Sequence, residues 1–126
     1  MRYLMMVKAD DDYEAGRPPD PRVMAAVGKH AQAMAAKGIL LEQGGLYPSA
    51  HGAMVEVANG VVTVIDGPFA ETKELVGGYA ILKAESREHA IALGREFMQL
   101  HADVLGPSYT GRLEIRRLAD GPVPAT

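Results

Sequence analysis

Four side chains that could take part in binding or catalysis lie close together between two predicted strands. The segment from Asp66 to Glu74 has the sequence DGPFAETKE and contains an acid, an aromatic ring, a hydroxyl group and a lysine. A Gly-Pro pair does not lie inside a sheet ladder, so the chain must turn here. Asp66 could act as a base, Lys73 could hold an anion, and Phe69 and Thr72 could contact a ligand. The segment therefore predicts one wall of a small-molecule site.

Two residues elsewhere in the chain are predicted to reach the same site. His101 follows Phe97 by four residues, so it extends the apolar stripe of a predicted helix, where an imidazole can act as acid or base near neutral pH. Asp103 could complete a His–Asp pair with it. Glu42 lies in a largely apolar strand, where a carboxylate needs a partner, so we expect it to face a cleft. The catalytic candidates are therefore Asp66 and His101, and the ligand-binding candidates are Glu42, Phe69, Thr72 and Lys73.

Each of these candidates also has a purely structural explanation. The Asp66 carboxylate can accept backbone N–H bonds and hold the turn. Lys73 can be a solvated lysine beside two glutamates. Phe69 can cover the core, and His101 can be favoured at the end of its helix by the helix dipole alone. The sequence leaves the functional and the structural explanations open.

Composition limits the classes of function. The chain has 126 residues, enough for one domain, with a formal charge of −3, which gives no basic surface for nucleic acid. It has no cysteine, so disulfides, thiol nucleophiles and thiolate metal sites are excluded. No apolar run approaches the ~20 residues of a membrane span, and the apolar start is too short for a signal peptide. We therefore expect a cytoplasmic protein, and the motifs predict no metal and no cofactor.

The rest of the chain supplies the elements that must position these residues. Apolar runs predict strands, while an acid or serine cap followed by a stripe of three-to-four spacing predicts helices. Asn59-Gly60 is a strong signal for a two-residue hairpin turn. The predicted order is a strand at 3–7, a helix from 21 to about 37, a strand from 39, a hairpin of 53–58 and 61–65, a strand at 78–83, a helix after Ser86, and an edge strand at 112–118.

Without the hairpin, this order is the βαββαβ pattern of an α+β, ferredoxin-like fold. Two helices can cover only one face of its sheet. The strands at 3–7 and 79–82 are nevertheless apolar on both faces. A second copy of the sheet is the simplest cover, so we expect a symmetric homodimer, with the hairpin as the alternative cover.

The DGPFAETKE segment and the following Gly77-Gly78-Tyr79 resemble the signature of the DGPF branch of the YCII-related proteins. The opening strand from Met1 and the last strand at 113–116 are also similar to those of the family. The resemblance covers residues 1–118, which leaves 119–126 as a flexible C-terminal tail. It implies a dimeric α/β barrel, in which two ferredoxin-like sheets pair.

The resemblance implies less about activity. Some YCII relatives are proposed to use a His–Asp pair, and one is a dehydrochlorinase of a chlorinated aromatic. Their histidine lies early in the first helix, where this chain has Ala25 to Val27; His30 follows about a turn later. The expectation is a small-molecule-binding protein, with cofactor-free elimination, isomerisation or hydrolysis if it is an enzyme. The alternative, from the gene neighbourhood of the branch, is a ligand-sensing or accessory module of sigma-factor-dependent transcription.

Overall fold

A computed structural model describes residues 1–71 and 74–122 of the chain. Six strands and three helices occur in these residues, with one 3₁₀ turn at Ser49–His51. Their order is β1 (Arg2–Lys8), α1 (Asp11–Glu14), α2 (Pro21–Ala36), β2 (Leu40–Gly45), β3 (Ala53–Ala58), β4 (Val61–Asp66), β5 (Val76–Lys83), α3 (Arg87–Leu105) and β6 (Leu113–Arg117).

The sheet topology agrees with the predicted fold class. Four strands form a sheet of order β2-β5-β1-β6, and all neighbouring strands are antiparallel. Strands β3 and β4, which follow β2 and precede β5 along the chain, form a separate two-stranded sheet. The protein is therefore α+β with antiparallel sheets, compatible with the predicted ferredoxin-like fold. The dimeric barrel concerns a second chain and stays a prediction.

The two long helices begin and end as their local sequence predicts. The Asp20 carboxylate accepts a hydrogen bond from the backbone N–H of Arg22 at 2.8 Å, and Pro21 is the first residue of α2. Gly38, with a φ of 73°, ends this helix in the left-handed region. Ser86 caps α3 by accepting from the N–H of His89. These local signals fix where the two helices lie along the chain.

The segment between β1 and α2 is more structured than the loop that its polar sequence predicts. It contains the one-turn helix α1, whose N-cap Asp10 accepts from the backbone N–H of Tyr13 at 2.7 Å. A single turn is too short to show helical periodicity, so the sequence pattern could not indicate it. The turn matters because it places Tyr13 and Glu14 against other parts of the fold.

The core lies between the four-stranded sheet and the two long helices. Buried residues include Tyr3 and Met5 of β1 and Leu82 of β5. The spacing of three or four residues predicts a core stripe on α3 of Ile91, Gly94, Phe97, Met98 and His101. Gly94 is buried and the other four are half-buried, while Ala90 and Leu93 are the further buried positions. Gly94 packs closely on β6, since an added Cβ would lie 2.8 Å from Ile115 Cδ1.

The opposite face of the sheet, called here the outer face, carries Leu4, Met6, Tyr79 and Ile81. These side chains are half-buried and do not belong to the core between sheet and helices. They alternate with core residues such as Met5 along the strands, as the period of two requires. The outer face is thus the second apolar face that the sequence predicted.

The hairpin is exposed on both of its faces. Asn59 and Gly60 have φ values of 53° and 76°, which confirms the predicted two-residue turn. Every residue of β3 and β4 is exposed, including four valines that form two directly opposed cross-strand pairs: Val55 with Val64 and Val57 with Val62. An apolar run such as 61–65 is typical of a buried strand. In the single chain β4 is instead exposed, because no residue of the hairpin belongs to the core between sheet and helices.

Candidate functional site

A cavity of about 810 Å³ lies between the two long helices and the inner face of the sheet. Its walls are chiefly apolar side chains of β1, α2, β5 and α3, including Met5, Val27, Met34, Leu82, Leu93 and Phe97. The segment from Lys8 to Asp20 forms part of its lining and supplies most of the charged groups there. A cavity of this size and character suits a small, largely apolar organic molecule.

His101 is the predicted site residue that lines this cavity. Its Nδ1 lies 3.0 Å from the backbone carbonyl oxygen of Phe97, one helical turn earlier. Since a carbonyl oxygen only accepts, Nδ1 must carry the proton. In the neutral ring the lone pair therefore belongs to Nε2. His101 is thus held in the tautomer in which Nε2 can act as a base.

Two aromatic rings hold the imidazole of His101 in place. Phe97 contacts it edge-on, with ring centroids 4.8 Å apart. Tyr109 stacks on it, with centroids 5.7 Å apart and an interplanar angle of 22°. Tyr109 reaches this position because Gly106 turns the chain back after α3, and the N–H of Tyr109 bonds to the Gly106 carbonyl at 3.1 Å. The loop after α3 therefore completes the site.

Burial raises the pKa of the Tyr109 hydroxyl, and the negative charge of Asp10 raises it further. Tyr109 therefore stays protonated at neutral pH and can donate its O–H. Asp10 and Tyr109 line the same cavity as His101. The arrangement combines a base with a neutral hydrogen-bond donor.

A second histidine faces the same cavity from the opposite helix. The His30 ring is tilted against Phe97, with centroids 6.3 Å apart, and its Nδ1 lies 3.6 Å from Oε1 of Glu96. Its side chain is only 17% exposed. The sequence pattern did not indicate His30 or Tyr109 as site residues. The spacing of His30 three residues after Val27 could have indicated it, whereas nothing local signals the stacking of Tyr109.

Three other predicted site residues, Asp66, Glu42 and Phe69, do not line the cavity. Asp66 is exposed at the end of β4, in register with Ala53. Glu42 is exposed on β2, opposite Ile81 of the outer face. Phe69 is half-buried near the 3₁₀ turn. Thr72 and Lys73 lie outside the described residues. The roles expected for these five residues stay predictions.

The predicted His–Asp pair within α3 is not formed. The Asp103 carboxylate instead accepts from Nε2 of Gln99 at 2.8 Å and is exposed. His101 is bound to the Phe97 carbonyl on the cavity side. The acid partner that the sequence suggested therefore points elsewhere, because residues two apart on a helix do not face each other.

The DGPF segment has a structural role that its chemistry did not suggest. The N–H of Phe69 donates to Ser49 Oγ at 3.0 Å. Ser49 in turn donates both its N–H, at 2.8 Å, and its hydroxyl to the Glu14 carboxylate. We call these three residues the serine clasp. Because Glu14 belongs to α1, which also carries the cavity residue Tyr13, the clasp ties the DGPF segment to the wall of the cavity.

Gly67 allows the serine clasp to close. Its N–H donates to the carbonyl of Gly52 at 3.0 Å. A Cβ at Gly67 would lie 1.7 Å from the backbone oxygen of Ser49. The two backbones can approach this closely only if residue 67 has no side chain.

Comparison with known proteins gives the family. Residues 1–104 match the YCII-related domain. The chain belongs to the YCII-related family. It is also 29% identical over 121 residues to an uncharacterised protein of Rhizobium meliloti (strain 1021), covering 94% of this chain and 93% of that protein. The family expected from the sequence is confirmed, while the DGPF branch stays a prediction.

Two further features bear on function. In residues 1–71 and 74–122, no helix is long and apolar enough to cross a membrane. In the same residues, no three histidine or acidic side chains gather in a group that could hold a metal ion. The candidate site of this YCII-related protein is built from His101, Tyr109 and His30 around Phe97.

Proposed function

We propose that this YCII-related protein binds a small, largely apolar molecule in the helix–sheet cavity and that His101 exchanges a proton with it. The observation that carries the proposal is the bond from His101 Nδ1 to the Phe97 carbonyl. It leaves Nε2 free to accept a proton within a mostly apolar cavity. A histidine that only stabilised the end of a helix would not require a cavity beside its ring, whereas His101 lines one.

The chemistry follows from the neighbours of His101. Nε2 takes a proton from the bound molecule, and the imidazolium that forms keeps its Nδ1–H bond to Phe97. The Tyr109 hydroxyl donates a hydrogen bond to negative charge that develops on the molecule. His30, whose Nδ1 lies 3.6 Å from Oε1 of Glu96, can return a proton on the other side of Phe97. A base and an acid on two sides of one cavity suit elimination or isomerisation, and the proposal needs no cofactor.

The test starts with ligand binding and then measures turnover. Small uncharged aromatic and carbonyl compounds are screened by NMR chemical-shift changes, and compounds that bind in the cavity are assayed for conversion. His101→Gln should retain binding but lose about 10²- to 10⁴-fold in turnover, the usual contribution of a general base. His51→Gln is the control, because His51 is exposed in the 3₁₀ turn and does not line the cavity. Full turnover by a folded His101→Gln variant would refute the proposal.

We also propose that the chain forms a dimeric α/β barrel through its outer face. The half-buried apolar side chains on that face support this, since both long helices pack on the other face. The exposed valines of the hairpin support it too, because an isolated two-stranded sheet is marginally stable in water. Sedimentation velocity over a range of protein concentrations measures the mass, and a monomer throughout would contradict this proposal.

A ligand-sensing or accessory role is the second candidate. The exposed valines of the hairpin favour it, since a surface of that kind can serve a partner protein. The test mixes the purified protein with a purified sigma factor and measures binding, with and without a cavity ligand. No binding under either condition would count against a role in sigma-factor-dependent transcription.

A further inference from the structure

The loop between α3 and β6 is held at both of its ends. The N–H of Gly106 donates to the Ala102 carbonyl at 2.9 Å, which fixes the start of the loop to the last turn of α3. The N–H of Lys8 donates to the Arg112 carbonyl at 3.0 Å, which fixes the end of the loop to β1. The backbone between these two bonds carries Tyr109. A steric clash inside the loop is therefore relieved more easily by turning a side chain than by moving the backbone.

Gly111 lies against the ring of Tyr109 within this loop. A Cβ added at the glycine would lie 2.5 Å from Cζ of Tyr109, 3.0 Å from Cε2 and closest of all to the hydroxyl oxygen. These three nearest atoms all belong to the outer half of one side chain. Gly111 does not have a positive φ, so its backbone conformation would accept a residue with a side chain. The close approach of Tyr109 is therefore the feature that favours a glycine at position 111.

A methyl group at position 111 would displace the part of Tyr109 that the candidate site uses. Ordinary contact begins at 3.4 Å, so Cζ would have to move by about 0.9 Å and the hydroxyl oxygen by more. Groups that act on a bound molecule must be held within about 0.5 Å of their productive position. The displaced hydroxyl would therefore no longer donate where the site needs it.

Gly67 and Gly111 both allow a close approach, but they approach different kinds of atom. The atoms nearest to a Cβ at Gly67 are backbone atoms of Ser49, which cannot rotate away. Those nearest to a Cβ at Gly111 are at the far end of the Tyr109 side chain, which can rotate about its own bonds. A side chain at position 111 should therefore change the site without a large change in stability.

We propose that Gly111 is a positioning residue of the candidate site, because its missing side chain lets Tyr109 stack on His101 and sets where the Tyr109 hydroxyl donates. Gly111 does not itself line the cavity, so it acts only through Tyr109. The inference rests on the proton exchange proposed for His101 and adds the residue that places its hydrogen-bond donor.

NMR of the free protein tests the placement of Tyr109 without a ligand. In the wild type, nuclear Overhauser effects should connect the Tyr109 ring to the His101 ring and to the Gly111 Hα protons. Gly111→Ala should lose the effect between the two rings, because the tyrosine leaves the imidazole. Gly121→Ala is the matched control, since a Cβ there meets nothing within 4 Å, and it should leave the effect unchanged. An unchanged effect between the rings of a folded Gly111→Ala variant would overturn the proposal.

Urea unfolding separates a positioning role from a structural one. Gly111→Ala and Gly121→Ala should unfold at similar urea concentrations, because only a rotatable side chain has to move in the first variant. A large loss of stability in Gly111→Ala alone would overturn the proposal.

The aromatic or carbonyl compound that the wild type converts gives a kinetic readout. Tyr109→Phe keeps the ring but removes the donor, and the loss of one such donor usually lowers kcat by about 10²- to 10³-fold. Gly111→Ala should lower kcat by about tenfold or more and change KM by no more than about threefold, because a misplaced donor weakens binding of the transition state alone. In a Tyr109→Phe background, Gly111→Ala should lower kcat by no more than about threefold, since the donor is already absent. An equal loss in both backgrounds would overturn the positioning role.

The outcomes distinguish this inference from the proposed function. If His101→Gln keeps full turnover, the proton exchange fails, and the effect between the two rings still decides whether Gly111 places Tyr109. If His101→Gln loses turnover while Gly111→Ala keeps both turnover and the ring contact, the positioning role is overturned and the proposed function stands.

Discussion

Adding one methyl group at Gly67 should open the serine clasp. A Cβ there would lie 1.7 Å from the Ser49 carbonyl oxygen and 2.6 Å from its carbon, both backbone atoms that cannot rotate away. Ordinary contact begins at 3.4 Å, so the two backbones must separate by nearly 2 Å. In Gly67→Ala, the bonds from Gly67 to Gly52 and from Phe69 to Ser49 Oγ, each 3.0 Å long, would then exceed bonding distance.

The size of the effect follows from those two bonds and the strain. Each neutral hydrogen bond contributes about 1 kcal/mol to the free energy of unfolding, and overpacking at a tight contact costs about 1–3 kcal/mol. The Gly67→Ala variant should therefore lose at least about 3 kcal/mol of stability. With a urea dependence of about 1–3 kcal/mol per molar, its unfolding midpoint should fall by about 1–3 M.

The assay is urea unfolding followed by circular dichroism at one fixed protein concentration, because association would shift the midpoint. Gly45→Ala is the matched control, since a Cβ there meets nothing within 4 Å. Its stability should change by no more than about 0.5 kcal/mol. If Gly67→Ala unfolds at the same urea concentration as Gly45→Ala, the clasp is not the constraint that we describe.

Two further predictions concern the sheet and its charges. Gly44→Ala would place a Cβ 2.8 Å from Cε1 of Tyr79, so it should lower the free energy of unfolding, measured with urea, by about 1–2 kcal/mol. The loss should be smaller in a Tyr79→Leu background, which lacks the ring. An equal loss in both backgrounds would contradict this prediction. The hydrogen bond from Arg2 holds the pKa of Asp120 below its usual 3.8, so the resulting stabilisation is present above that value and is lost as pH falls through the lowered pKa. Arg2→Gln should therefore raise the pKa of Asp120, which NMR measures. The variant should unfold at a lower urea concentration than the wild type above the usual pKa of Asp120, and the two midpoints should come together in acid. An unchanged Asp120 titration would refute the pairing.

Local signals predicted most of the elements, because caps and turns act over a few residues. The start of α2 at Pro21 and the hairpin turn at Asn59-Gly60 are of this kind, and both are confirmed. The order of elements then sufficed to predict a ferredoxin-like sheet, since few topologies satisfy it. The exposure of the hairpin was missed because an apolar run indicates that a strand is buried, but not whether residues of the same chain or of a second chain bury it.

The candidate site was harder to predict, because its members meet only through the tertiary fold. His101 was found from its place on a helical stripe. Tyr109 was not found, because its contact with His101 depends on the backbone turn at Gly106. His30 and Glu96 belong to different helices, and their approach is set by how those helices pack on the sheet. A residue's pattern predicts which face it occupies, but not which distant side chain shares that face.

The central position of β1 has a consequence for how the chain folds during synthesis. This strand pairs only with β5 and β6, which begin at Val76 and Leu113. Strand β1 must therefore wait until β5 has been made before its first edge is paired, and until β6 has been made before its second edge is paired. Such long sequence separations slow folding and leave an unpaired apolar strand open to chaperones or to aggregation. Translation that stops before β6 should release a chain with β1 paired on one side at most, so the four-stranded sheet is completed only after β6 has been made.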